Sequence, residues 1–137
     1  MMWHKSIGIT LLFLVLLRLL WTLTNPRPIA APETARWERF AARLSHIGLY
    51  TLMFAIPLSG WLMNSAKNVP FSLYRLVPWP MLMGPDKALG ELFEEWHADL
   101  VSVILGILVI HIAAALWHHF SKQDAVLLRM LWSDKHP

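Results

Sequence analysis

Apolar residues run along this chain in three long blocks, separated by polar connections that carry most of the prolines. The first block is about His4 to Thr24, HKSIGITLLFLVLLRLLWTLT, and it stops at NPRP, a strong helix terminator. The second is about Leu44 to Ser65, LSHIGLYTLMFAIPLSGWLMNS, and the third about Trp96 to Phe120, WHADLVSVILGILVIHIAAALWHHF. A hydrocarbon core takes roughly 20 helical residues at ~1.5 Å rise each, and every block reaches that length. The pattern predicts an all-α membrane protein, a three-transmembrane-helix bundle forming a single domain over residues 1–137. Pro57 should kink the second span rather than end it, because neighbouring helices re-satisfy the freed carbonyl. No block shows the alternating ten-residue strands of a β-barrel. The second connection, KNVPFSLYRLVPWPMLMGPDKALGELFEE, holds four prolines and several aromatics. It reads as an ordered external cap over the bundle mouth, with a short amphipathic helix near Pro85 to Glu95.

Composition agrees with lipid as the solvent. Of 137 residues, 56% are hydrophobic and 15% charged, where soluble domains carry about 25% charge. Eight tryptophans suit interfacial belts. The absence of cysteine excludes disulfides, thiolate metal sites, c-type haem attachment and iron–sulfur ligation by this chain alone.

The net charge of +3 does not point to nucleic acid, since basic residues in an apolar chain mark cytoplasmic loops. The first connection carries Arg27, Arg36, Arg39 and Arg43 beside Glu33 and Glu38. The tail carries Lys122, Arg129 and Lys135, whereas the second connection is net negative. Counting basic residues near span ends puts the first connection and the C-terminus in the cytoplasm and the N-terminus outside. A multi-pass membrane protein is expected. An outside N-terminus with almost no leader would be explained by one more helix before Met1.

Ionisable groups inside a span are costly and by default suggest function with a partner nearby. His97 and His111 lie fourteen residues apart, about 21 Å and almost four whole helical turns, so both imidazoles face one side near opposite membrane surfaces. His4 opens the first span at the depth of His97. Two histidines on facing helices at one depth suit bis-histidine ligation of a b-type haem, one ring on each side of the iron. His111 marks a second depth, where His46 at the start of span two is the nearest match. Gly8, one turn after His4, and Gly106, between His97 and His111, would let a flat ring approach, though glycine also serves helix packing in lipid. Arg18, fourteen residues after His4, either snorkels to the headgroups or pairs with a haem propionate. His118 and His119 read as interfacial or propionate-pairing side chains, and His136 as tail. The bland reading of His4 and His97 is interfacial placement.

The stretches HKSIGI…LLRLLWTLTNPRP, RLSHIGLYTLMFAIPLSGWLMNSA and LFEEWHADLVSVILGILVIHIAAALWHHF…LLRML resemble the bacterial cytochrome b561 family of inner-membrane dihaem electron carriers. The resemblance covers essentially the whole chain. Its specific points are the His-x-Ser-x-Gly opening, the Pro-x-x-Gly of span two, and Trp-His followed fourteen residues on by another histidine. That family has four helices, of which this chain resembles the second to fourth, so a first helix is expected to be missing. The resemblance implies that His4 and His97 ligate the outer haem b. It also implies that His111 ligates the inner haem with a histidine of the missing helix, and that His46 supports the haem and quinol region.

The function expected is electron transfer through haem b from membrane quinol in a respiratory chain, with a redox protein partner and a homodimer both open. One alternative is a cytochrome b subunit of a dehydrogenase or hydrogenase complex. Another, of a different class, is a haem-free membrane transport or interaction protein whose histidines relay protons or bind a transition metal.

Overall fold

The computed structural model describes residues 2–25 and 36–121, without side-chain detail at 118, 119 and 121. Three helices dominate: α1 (Met2–Thr24), α2 (Arg36–Ala66) and α3 (Lys87–Ser121). All three are long and apolar enough to cross a membrane, as the hydrophobic blocks predict. Arg27, Glu33, Lys122, Arg129, Lys135 and His136 lie outside the described residues.

Each helix has a local cause. In α1 the Leu-rich run meets no breaker until Asn25, and hydroxyls that would destabilise a water-exposed helix bond back to it. Thr10, Thr22 and Thr24 donate to the carbonyls of Ser6, Arg18 and Leu20 at 2.8–3.0 Å. Helix α2 starts at Arg36, eight residues before the apolar block, so Arg36, Arg39 and Arg43 ride on its exposed first turns rather than in a loop. It runs without interruption through Pro57, which is buried. Asp86 caps α3, accepting the Leu89 amide on Oδ1 at 3.0 Å. No breaker follows except Gly90, so the segment expected as a separate amphipathic helix forms the first turns of α3, continuous with the third span.

The middle helix organises the bundle. Both α1 and α3 pack on α2, while the described backbones of α1 and α3 nowhere approach within 8 Å of each other. A stripe of Ile9, Leu12 and Val15 on α1 is buried. Most other large apolar side chains are exposed, including those of Leu17, Leu20, Val109 and Ile110. A helix surface so apolar is stable facing lipid, where its backbone is already satisfied internally.

The second connection departs from expectation. It contains a two-stranded antiparallel hairpin, β1 (Ser72–Leu73) and β2 (Val77–Pro78), paired Ser72 to Pro78 and Leu73 to Val77. Instead of covering the bundle mouth, the connection turns back along α1. The Tyr74 amide donates to Ser6 Oγ at 2.9 Å, the Tyr74 hydroxyl lies 2.7 Å from Thr10 Oγ1, and Trp79 packs edge-on against Phe13. Aromatic contact and unmet backbone donors outweigh the polarity suggested by a loop position.

Candidate functional site

The gap left between α1 and α3 is where the sequence-predicted histidines meet. The His4 ring on α1 and the His97 ring on α3 have centroids 6.0 Å apart, nearly perpendicular at 87°. An imidazole nitrogen binds a first-row metal ion at about 2 Å, so two rings on opposite sides of one ion have centroids roughly 6 Å apart. The donor set and spacing fit a bis-histidine iron site between two helices whose backbones stay apart.

His97 is held by α2. Its Nδ1 lies 3.0 Å from the Ile56 carbonyl oxygen and 3.1 Å from Ser59 Oγ. A carbonyl only accepts, so Nδ1 carries the proton and Nε2 keeps its lone pair. Ser59 itself donates to the Ile56 carbonyl at 2.8 Å. That leaves a hydroxyl lone pair for the same Nδ1–H. Fixing the non-ligating nitrogen in this way sets both tautomer and ring direction at a metal site.

Gly60 completes the seat. A Cβ there would lie 3.0 Å from His97 Cε1 and 3.2 Å from Nδ1, tighter than ordinary packing. The glycines singled out from sequence behave differently. A Cβ on Gly8 would meet Pro57 Cβ at 3.9 Å, and one on Gly106 would meet nothing within 4 Å. Not anticipated are therefore Ser59, the Ile56 carbonyl and the contact of Gly60 with His97. The visible hint is the Pro57-x-x-Gly60 motif, one helical turn of α2 at the depth of His97.

At the far end of the bundle His46 on α2 and His111 on α3 also meet, with centroids 5.2 Å apart and planes at 64°. His111 Nδ1 lies 3.0 Å from Ser45 Oγ, which parallels the Ser59 contact of His97. Helices α2 and α3 are closely packed here: a Cβ on Gly48 would sit 3.6 Å from Ile107 Cδ1. His46 is thus a neighbour of His111 along one helix interface rather than its opposite across a gap. Arg18 reaches the same region from α1. Its Nε donates to the Tyr50 hydroxyl at 2.5 Å, with the guanidinium 5.8 Å from the ring centre. The side chains of His118 and His119 lie outside the described residues.

Residues 1–133 match the family model described as prokaryotic cytochrome b561. Among curated proteins, the chain is similar to cytochrome b561 homolog 2 of Escherichia coli (strain K12). The two are 36% identical over 128 residues, covering 93% of this chain and 68% of that protein. It is similar to cytochrome b561 homolog 1 of the same organism at 29% over 130 residues, 93% of this chain and 72% of that one. A third relative, the probable superoxide oxidase CybB of Yersinia pestis, is 28% identical over 128 residues, 93% of this chain and 72% of that protein.

Proposed function

Since this chain belongs to the prokaryotic cytochrome b561 family, bacterial multi-pass membrane b-type cytochromes in electron transfer, we propose that it carries electrons from membrane quinol to a redox partner in a respiratory chain. Haem b, when bound, supplies a one-electron couple. His4 and His97 would hold it between α1 and α3. The observation that carries this reading is their meeting across that gap, with His97 Nδ1 tied to the Ile56 carbonyl at 3.0 Å.

The chain's own residues do the rest. The Ile56 carbonyl and Ser59 keep the proton on Nδ1 and present Nε2 to the gap. Gly60 gives the ring room to turn there. The lipid-facing apolar flanks of α1 and α3 exclude water, and surroundings so apolar shield charge poorly, which tunes a potential. Gly8 and Gly106 line the same two helices. At the other end, His111 would serve a second haem with a further ligand, and Ser45 orients its ring. His46 and Arg18 would support that end. The protein would sit in the inner membrane with its C-terminus cytoplasmic, because Arg36, Arg39 and Arg43 crowd the start of α2 at the His111 end.

The test is haem b per polypeptide in detergent-purified protein by pyridine haemochrome, followed by reduction with a short-chain quinol. A ratio near one with quinol-reducible absorbance is expected. No Soret band, or haem that quinol never reduces, overturns the reading. Similarity to the Yersinia superoxide oxidase relative favours a second reading, in which superoxide is the electron donor. Haem reduced by enzymatically generated superoxide but not by quinol would select it.

A further inference from the structure

The hairpin connection lies at a depth that a loop in water would not occupy. Helix α1 has 23 residues, about 35 Å at ~1.5 Å each, little more than the ~30 Å hydrocarbon core it must cross. Phe13 is its middle residue, and the Trp79 ring packs against it at 6.2 Å between centroids. Tyr74 is bonded to Ser6 and Thr10, one to two turns below His4's end of the helix. The connection therefore descends beside the membrane-crossing part of α1.

Irregular backbone survives near hydrocarbon only when its polar groups are satisfied by protein. Much of this one is satisfied in that way, with the Trp79 indole N–H the buried side-chain donor left without a partner among the described residues. Four positions, Pro70, Pro78, Pro80 and Pro85, have no amide hydrogen to satisfy. The amides of Val69, Arg75, Leu76 and Trp79 donate to the carbonyls of Asn64, Ser72, Leu73 and Phe71 at 2.9–3.3 Å. Those of Tyr74 and Leu82 donate to the hydroxyls of Ser6 and Ser65, two side chains with no solvent exposure. The Pro80 carbonyl takes the Trp61 indole N–H at 2.9 Å.

The outward face is apolar. Leu76 is 82% and Val77 55% exposed, with Leu82 also exposed. Tyr74 and Arg75 hold φ of 49° and 64°, a left-handed backbone that L-residues rarely adopt. The two bonds from Tyr74 to α1 fix this turn, which leaves Leu76 exposed. Above the apolar face Arg75 and Lys5, with Met2, Pro70, Phe71 and Ser72, line an open cavity of about 410 Å³ with no carboxylate on its wall.

We propose that residues 69–82 form a lipid-seated wedge. Leu76, Val77 and Leu82 enter the acyl chains of the leaflet at the His4 end, and Arg75 faces the phosphate layer above them, while Lys5 beside it donates to Asn64 Oδ1. The partner is the bilayer surface itself, continuous with the lipid already flanking α1. Tryptophan and tyrosine suit this level, where one edge is apolar and the other wet.

The chain has no cysteine, so single spin labels read depth directly. Nitroxides would be placed by Leu76→Cys, Val77→Cys, Ile110→Cys on lipid-facing α3, and Lys87→Cys at its exposed start. Each protein is reconstituted in phosphatidylglycerol–phosphatidylethanolamine vesicles. Collision rates are measured with oxygen, which concentrates in lipid, and with a water-soluble nickel chelate. Labels at 76 and 77 should favour oxygen several-fold, as at 110, with the preference reversed at 87. Nickel accessibility at 76 and 77 equal to that at 87 would overturn the proposal. Shielding from both agents would overturn it too, pointing to a second protein chain over the hairpin. Neither result depends on haem.

Discussion

His97 carries more of this protein than any other side chain. It faces His4 across the gap, and two α2 groups hold its Nδ1. His97→Ala should lose most haem b at the His4 end, seen as a collapse of Soret absorbance per polypeptide, while His111→Ala leaves that haem in place. Gly60→Ala makes a subtler test. The added methyl would lie 3.0 Å from the ring, and overpacking of this kind costs about 1–3 kcal/mol. Haem affinity by titration of the apoprotein should fall roughly ten-fold or more, with the midpoint potential shifted because the ring turns. Unchanged affinity and potential would mean that His97 does not sit where Gly60 meets it. Spacing along the chain was enough to single out His4, His97 and His111, because ionisable groups in lipid stand out. Ser59 and Ser45 were not legible, and Gly60 only as the glycine of the Pro-x-x-Gly motif, since serine and glycine are ordinary in membrane helices. Their role exists only in contact with another helix. Arg18 lies toward the His111 end, and its bond to Tyr50 could not be read from a helix face alone.

At the scale of elements, hydrophobic block lengths anticipated three spans but not their polar extensions. Helix α2 begins eight residues before its apolar block, and α3 nine before its own. Charged residues of good helix propensity continue a helix past the lipid boundary. The hairpin was the least legible element. Two strands of two residues each carry no periodic signal, and their position depends on Ser6 and Ser65 as distant acceptors. Ser65→Ala would strand the Leu82 amide, a loss of about 1–3 kcal/mol. It should lower the thermal midpoint in detergent by several degrees and expose the connection to limited proteolysis. A midpoint unchanged within error would show that the hydroxyl is not that amide's acceptor.

For the whole molecule, α2 is the scaffold and the outer two helices are separate walls on it. Only side chains such as His4 and His97 meet between these walls, so a ligand bound there should stabilise the bundle by mass action. Haem-free protein should melt well below the loaded form and regain stability on haem addition; equal midpoints would contradict ligation between α1 and α3. Topology offers another check. With the proposed orientation, a maleimide that cannot cross membranes should label Lys87→Cys in intact spheroplasts, and labelling only after lysis would invert the assignment.

Sequence alone determined that this chain lives in lipid, crosses it three times and places histidines at two depths. These are properties of composition and of helical pitch, which each segment carries by itself. Tertiary structure decided which helices touch and which stay apart, which proton His97 keeps, and that Tyr74 and Trp79 of the second connection pack along α1. Each of these depends on a donor meeting an acceptor far away in the chain, and no local pattern encodes that meeting.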